Sequence, residues 1–130
     1  MTYSRQAVAY RDREIKTASP GRLVVLVFDS ALSNLYRARR GVQTSNIEER
    51  VTAVRKAREA IMELYVTLNV EQGGAIARNL QSLYAFILSE LGDVARRPDG
   101  ARLESLITMV TELRSAFESV ATDTARTPAA

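Results

Sequence analysis

Apolar residues recur at steps of three and four through four separate stretches of this chain, and nowhere does single alternation persist as a half-buried strand would require. The first stretch carries Leu23, Val24, Leu26, Val27, Phe28, Ala31, Leu32, Leu35 and Tyr36. The second carries Ile47, Val51, Val54, Ile61, Leu64, Tyr65 and Leu68, and the third Ile76, Leu80, Leu83, Tyr84, Ile87, Leu88, Leu91 and Val94. The fourth carries Leu103, Leu106, Val110, Leu113, Phe117 and Val120. Four amphipathic helices of about 20 residues, joined by short loops, predict an all-α, antiparallel up-down four-helix bundle.

Local signals place the ends of these helices. Ser19-Pro20 reads as a cap followed by proline at the first helical position, where its missing N–H costs nothing. Asn46 with Glu49 three residues on reads as a cap for the second helix, and Asp99 after Pro98 as a cap for the fourth. Gly41 reads as the stop of the first helix, and Gly73-Gly74 as a turn between the second and third. The run of apolar residues at 23–28 predicts a first helix buried on nearly all sides. Residues 1–16 show no period, and Tyr3, Val8, Tyr10 and Ile15 stand as apolar anchors among charges. The expected organisation is an N-terminal arm (1–16), a bundle domain (17–121) and a disordered tail (122–130).

The residue types present narrow the chemistry. The chain has neither Cys nor His, which removes thiol chemistry, disulfides, the commonest general base and the commonest metal ligand. Gly73-Gly74 lacks the Lys-Ser/Thr close and the preceding strand of a phosphate-binding loop. A di-iron bundle needs Glu-x-x-His pairs that the chain cannot supply. No enzyme activity, cofactor or metal is therefore expected. No apolar run is long enough to span a bilayer and the N-terminus lacks a signal-peptide pattern, so a cytoplasmic location is expected, without membrane insertion.

The formal net charge of +3 is unevenly placed. Residues 1–60 hold 12 Lys and Arg against 6 Asp and Glu, and residues 61–130 hold 6 against 9. Such a split admits a basic, helical nucleic-acid-binding protein or a generic helical adaptor. The basic residues lie between apolar helical positions, however, and read more simply as solvated faces. The third stripe admits two readings as well. It covers two overlapping seams, 76/80/83/87 and 77/84/88/91, so it is either enclosed by its neighbours or shared between the core and a groove for a partner helix.

In order and spacing, several segments resemble the FliS family of flagellar export chaperones. They are Tyr10 with Ile15-Lys16-Thr17-Ala18-Ser19-Pro20, Leu23 to Leu32, Leu64, Thr67-Leu68-Asn69, Glu71 to Leu80, Leu83-Tyr84 and Glu112 to Phe117. The family usually has Tyr at Phe28, Gly at Ser30, Asp at Asn69, Glu at Ala75 and Trp at Phe117. The resemblance implies a helical bundle that holds the disordered C-terminal segment of flagellin in hydrophobic grooves. Premature polymerisation is thereby prevented and type III export supported. It implies the flagellar export apparatus as a further partner, and a competing regulatory protein is compatible with it. The expected partner-binding residues are Tyr10 and Ile15 on the arm, Leu68 and Asn79 at the turn, and Ile76, Leu80, Tyr84 and Ile87. The 80/84/87 side is expected to face the groove, with Leu26, Phe28, Val54, Ile61, Val110 and Leu113 in the core.

Overall fold

The computed structural model describes residues 20–126, with side chains from 21 to 120. They form α1 (Pro20–Gln43), α2 (Ile47–Thr67), α3 (Val70–Arg96) and α4 (Gly100–Arg126). The connections at 44–46, 68–69 and 97–99 are too short to cross the bundle, so successive helices run antiparallel. Each helix packs chiefly on its two neighbours in a ring ordered α1, α2, α3, α4. The all-α four-helix expectation holds. The arm and Ser19 lie outside the described residues, and α4 runs to Arg126, past residue 122 where the tail was expected to begin.

The core is built from one face of each helix. Phe28, Ala31, Leu35 and Ala38 of α1 meet Ala53, Val54, Ala57, Ala60, Ile61 and Leu64 of α2. Tyr84, Ile87, Leu91 and Val94 of α3 close it against Leu103, Leu106, Ile107 and Val110 of α4. Alanine dominates the α1–α2 seam, which is the most extensive pairing in the ring, because small side chains let two helix backbones approach. These alanines are missing from the stripe read on α2, whereas Ile47 and Val51 at its start are exposed. The ring also corrects the reading of α1. Val25 and Phe28 are fully buried, but Leu23 is exposed and Val24, Leu26 and Val27 are half-buried, because a helix in a four-membered ring keeps one side to solvent.

Gly41 does not end α1, which continues to Gln43. A Cβ at Gly41 would lie 2.7 Å from the backbone N of Arg50, so glycine is needed there for close approach of α2 rather than for a turn. The turn is made instead by Ser45, with φ of 54°, and by the Asn46 N–H donating to the Gly41 carbonyl at 2.8 Å. The caps read at Asn46 and Asp99 are present. Asn46 Oδ1 accepts from Glu49 N at 3.0 Å, and Asp99 Oδ1 accepts from Arg102 N at 3.0 Å. The carboxylate of Glu49 is turned to Arg40 instead of back to the cap.

Candidate functional site: the apolar edge of helix three

The third helix begins with a device that sets its rotation. Asn69 caps a first turn over Val70–Gly73, its Oδ1 accepting from Gln72 N at 3.0 Å. The chain then breaks at Gly74, whose φ of 59° and ψ of −136° lie in a region essentially confined to glycine. From Ala75 the helix is regular, and its rotation decides which seam points inward.

Ala77, Tyr84, Ile87, Leu91 and Val94 are buried. The residues one step earlier lie about 100° round the helix, and there Ile76 is 75% exposed, Leu83 37% and Phe86 48%. Of the expected site residues, Ile76 and Asn79 are exposed, and Leu80 and Leu68 are half-buried. Tyr84 and Ile87 are in the core, which corrects the expectation that the 80/84/87 side faces outward. Tyr10 and Ile15 lie outside the described residues.

Tyr84 is held inside by aromatic packing. Its ring centroid lies 6.4 Å from that of Phe28, which in turn lies 5.4 Å from Phe117, both pairs tilted. This chain of rings ties α1, α3 and α4 together. Burial pushes the Tyr84 hydroxyl up to about 12, since the phenolate would be formed away from water.

The exposed edge of α3 looks towards α4. Glu90, two helical repeats of seven beyond Ile76, pairs with Arg102 near the start of α4 at 3.1 Å. Because the helices are antiparallel, residues before Glu90 lie beside residues after Arg102. The face of Arg102 continues at helical spacing through Met109, Leu113 and Ala116 to Val120, which is 64% exposed. α3 and α4 also make the least extensive pairing of the four neighbours. The result is an apolar trough. Half-buried Leu80, Met109, Leu113 and Phe117 pack on the core as its floor, and Ile76, Leu83 and Phe86 stand along its rim.

Sequence periodicity placed Leu83 on a seam but not among the site residues, and it missed Phe86, Met109 and the outward turn of Leu113. Phe86 falls on neither seam, yet a large aromatic outside every core stripe was a readable signal. A separate opening of about 430 Å3 lies between α1 and α2, lined by Leu23, Leu26, Val27, Ser30 and Ala60 with Glu59 and Glu63. Leu26 therefore borders a surface cleft, although the sequence assigned it to the core.

The polar surroundings are structural. Asp29 accepts from Arg114 Nε, and Arg114 also reaches Glu118 at 2.6 Å. The hydrogen bond that Arg114 donates to Asp29, with the one it donates to Glu118, holds the Arg114 proton more firmly than usual, against an opposing effect of burial smaller than that of Asp29. In the basic half of the chain Arg39, Arg40 and Arg55 are paired with Glu104, Glu49 and Glu59. Among the described residues no group of His, Cys, Asp or Glu is placed to hold a metal ion, and no helix is long and apolar enough to cross a membrane.

Residues 2–124 match the family described as flagellar protein FliS. The chain is 28% identical over 109 residues to the flagellar secretion chaperone FliS of Vibrio cholerae, covering 84% of this chain and 80% of that protein. It is 30% identical over 107 residues to the chaperone of the same name from Salmonella typhimurium, covering 82% and 79%. With that of Bacillus subtilis it shares 23% identity over 118 residues, covering 91% and 87%.

Proposed function

The chain belongs to the flagellar protein FliS family, and from that premise we propose that it is a non-enzymatic cytoplasmic export chaperone for flagellin. It holds the C-terminal segment of flagellin, which folds into helical form on an apolar groove, and so keeps the subunit from polymerising before type III export. The observation that carries this reading is the trough between α3 and α4. An edge bearing Ile76, Leu83 and Phe86 exposes more large apolar surface than a bundle of this size needs for itself.

An amphipathic helix laid in such a trough presents residues at i, i+3, i+4 and i+7. Coupled folding of a disordered segment sacrifices about 2–5 kcal/mol of interaction energy to ordering, which leaves binding tight but releasable. Ile76, Asn79, Leu80, Leu83 and Phe86 supply the contact in this reading, while Tyr84 and Ile87 hold the helix from behind. Leu68 fixes the entry to α3. Tyr10 and Ile15 of the N-terminal arm are further partner-binding residues in this reading, as the family resemblance implies. The loaded chaperone then meets the export apparatus.

Calorimetry with a C-terminal flagellin peptide tests the reading on Leu83→Asp and Phe86→Asp, with circular dichroism as the control for folding. Affinity should fall by at least about tenfold, since a carboxylate must be desolvated where an apolar side chain was buried. Unchanged affinity in folded variants would remove the trough from the mechanism. Binding should also be nearly independent of salt, whereas phosphate contacts of a nucleic-acid-binding protein would make it fall steeply.

A further inference from the structure

At the far end of the bundle from Gly74, where α1 stops, α2 starts and α3 gives way to α4, a cavity of about 330 Å3 opens. It is lined by Gly41, Val42, Ser45, Ile47, Arg50 and Pro98. Arg50 is only 7% exposed, and it is the one buried charged residue among the described residues. A guanidinium carries five N–H donors. Here Nε has no partner, and Nη2 makes only a long contact of 3.5 Å to the Ala95 carbonyl.

The carboxylates that could neutralise Arg50 are engaged elsewhere. Glu49, its neighbour in sequence, is turned to Arg40 at 3.3 Å. Asp93 is held by Arg96 and Arg102, and Asp99 by Arg102. A buried cation is costly unless it is paired, and the carbonyl end of α3 offsets only part of that cost. Arg50 cannot swing out with its helix, because the Gly41 backbone is packed directly on its own.

We propose that this cavity binds a carboxylate carried on an apolar group, with Arg50 as the counter-ion. Val42, Ile47 and Pro98 form the apolar wall, and Ile47 is 67% exposed and so free to close on a ligand. The amino end of α2, which starts at Ile47, adds positive potential from the first-turn N–H groups that Asn46 does not cap, offset in part by the carboxylates of Glu48 and Glu49. One buried cation beside apolar walls suits a singly charged carboxylate rather than a phosphate. The carboxylate can come from a small organic acid or from the C-terminus of a peptide, and the site is separate from the α3–α4 trough.

The test uses the full chain and three probes: N-acetyl-leucine, N-acetyl-leucinamide and an acetylated Ala-Ala-Leu peptide with a free C-terminus. Nuclear magnetic resonance titration should show the acid shifting the amides of Ser45, Ile47 and Arg50, with the amide binding about tenfold more weakly or not at all. A peptide that binds more tightly than N-acetyl-leucine identifies a chain terminus as the source, and equal binding identifies a small acid. Arg50→Met, which replaces a buried unpaired cation by an apolar side chain of similar length, should fold and lose the preference for acid over amide. Arg50→Lys should keep part of that preference. Equal binding of acid and amide, no shift with any probe, or an Arg50→Met variant that still discriminates would each overturn the proposal.

Discussion

Replacing Gly41 by Ala sets two effects of known size against each other. Alanine is the better helix former by up to about 1 kcal/mol, with less of that gain realised in a last turn. The added methyl, however, would lie 2.7 Å from Arg50 N and 3.0 Å from its Cα. Both are backbone atoms, so no side chain can rotate away, and α1 must move off α2 along the alanine-lined seam. Overpacking of this kind costs about 1–3 kcal/mol. The net expectation is a loss of about 1–2 kcal/mol, or roughly 3–10 °C in melting temperature at this chain length. Gly92→Ala supplies the control, because a Cβ there meets nothing within 4 Å. It receives the propensity gain alone and should stabilise by about 0.5–1 kcal/mol. Urea unfolding of both variants gives the two free energies directly. If Gly41→Ala proves as stable as the parent while Gly92→Ala gains, contact at Gly41 does not set the separation of α1 and α2.

Other consequences can be measured in the same way. Tyr84→Ala should lose about 3–5 kcal/mol, since it empties a site in the ring stack, whereas Leu83→Ala at the rim should lose little. Because burial raises Tyr84 from its usual 10 to about 12, the unfolded chain releases that proton first. Its contribution is intact below pH 10 and is lost as pH rises towards 12, by up to about 1.4 kcal/mol per unit. The stability difference between the parent and Tyr84→Phe should therefore change over that window only. Gly74→Ala should cost about 1–3 kcal/mol through its backbone conformation, seen as a lowered urea midpoint. Asn46→Ala should cost about 1 kcal/mol through loss of the bond to Glu49 N.

The helices were legible because each signal is local. Asn46 and Asp99 are caps wherever a helix follows them, and Pro98 ends α3 through its own ring. What surrounds a helix is not local. Gly41 carries the same signature whether it turns the chain or admits another backbone, and only the position of Arg50 decides between them. Ala53, Ala57 and Ala60 read as weakly apolar, yet they line the closest seam because their partner is small as well. On α3 both seams were visible. The inward one follows from Gly74 and from the pairing of Glu90 with Arg102, and sequence spacing encodes neither rotation nor partner. The departures from the family's usual residues also find physical places. Phe28 and Phe117 pack on each other, Asn69 caps as Asp would, and Ser30 lines the α1–α2 cleft.

On α3 the buried set 77, 84 and 91 and the exposed set 76, 83 and 86 stand one position or so apart. Gain of one residue between Gly74 and Tyr84 would carry the following residues about 100° round, putting rim residues into the core and core residues into water. The length of this segment is thus locked by folding, while the side chains along the rim are left free to change shape. A partner surface of this kind can be retuned by substitution but not by insertion.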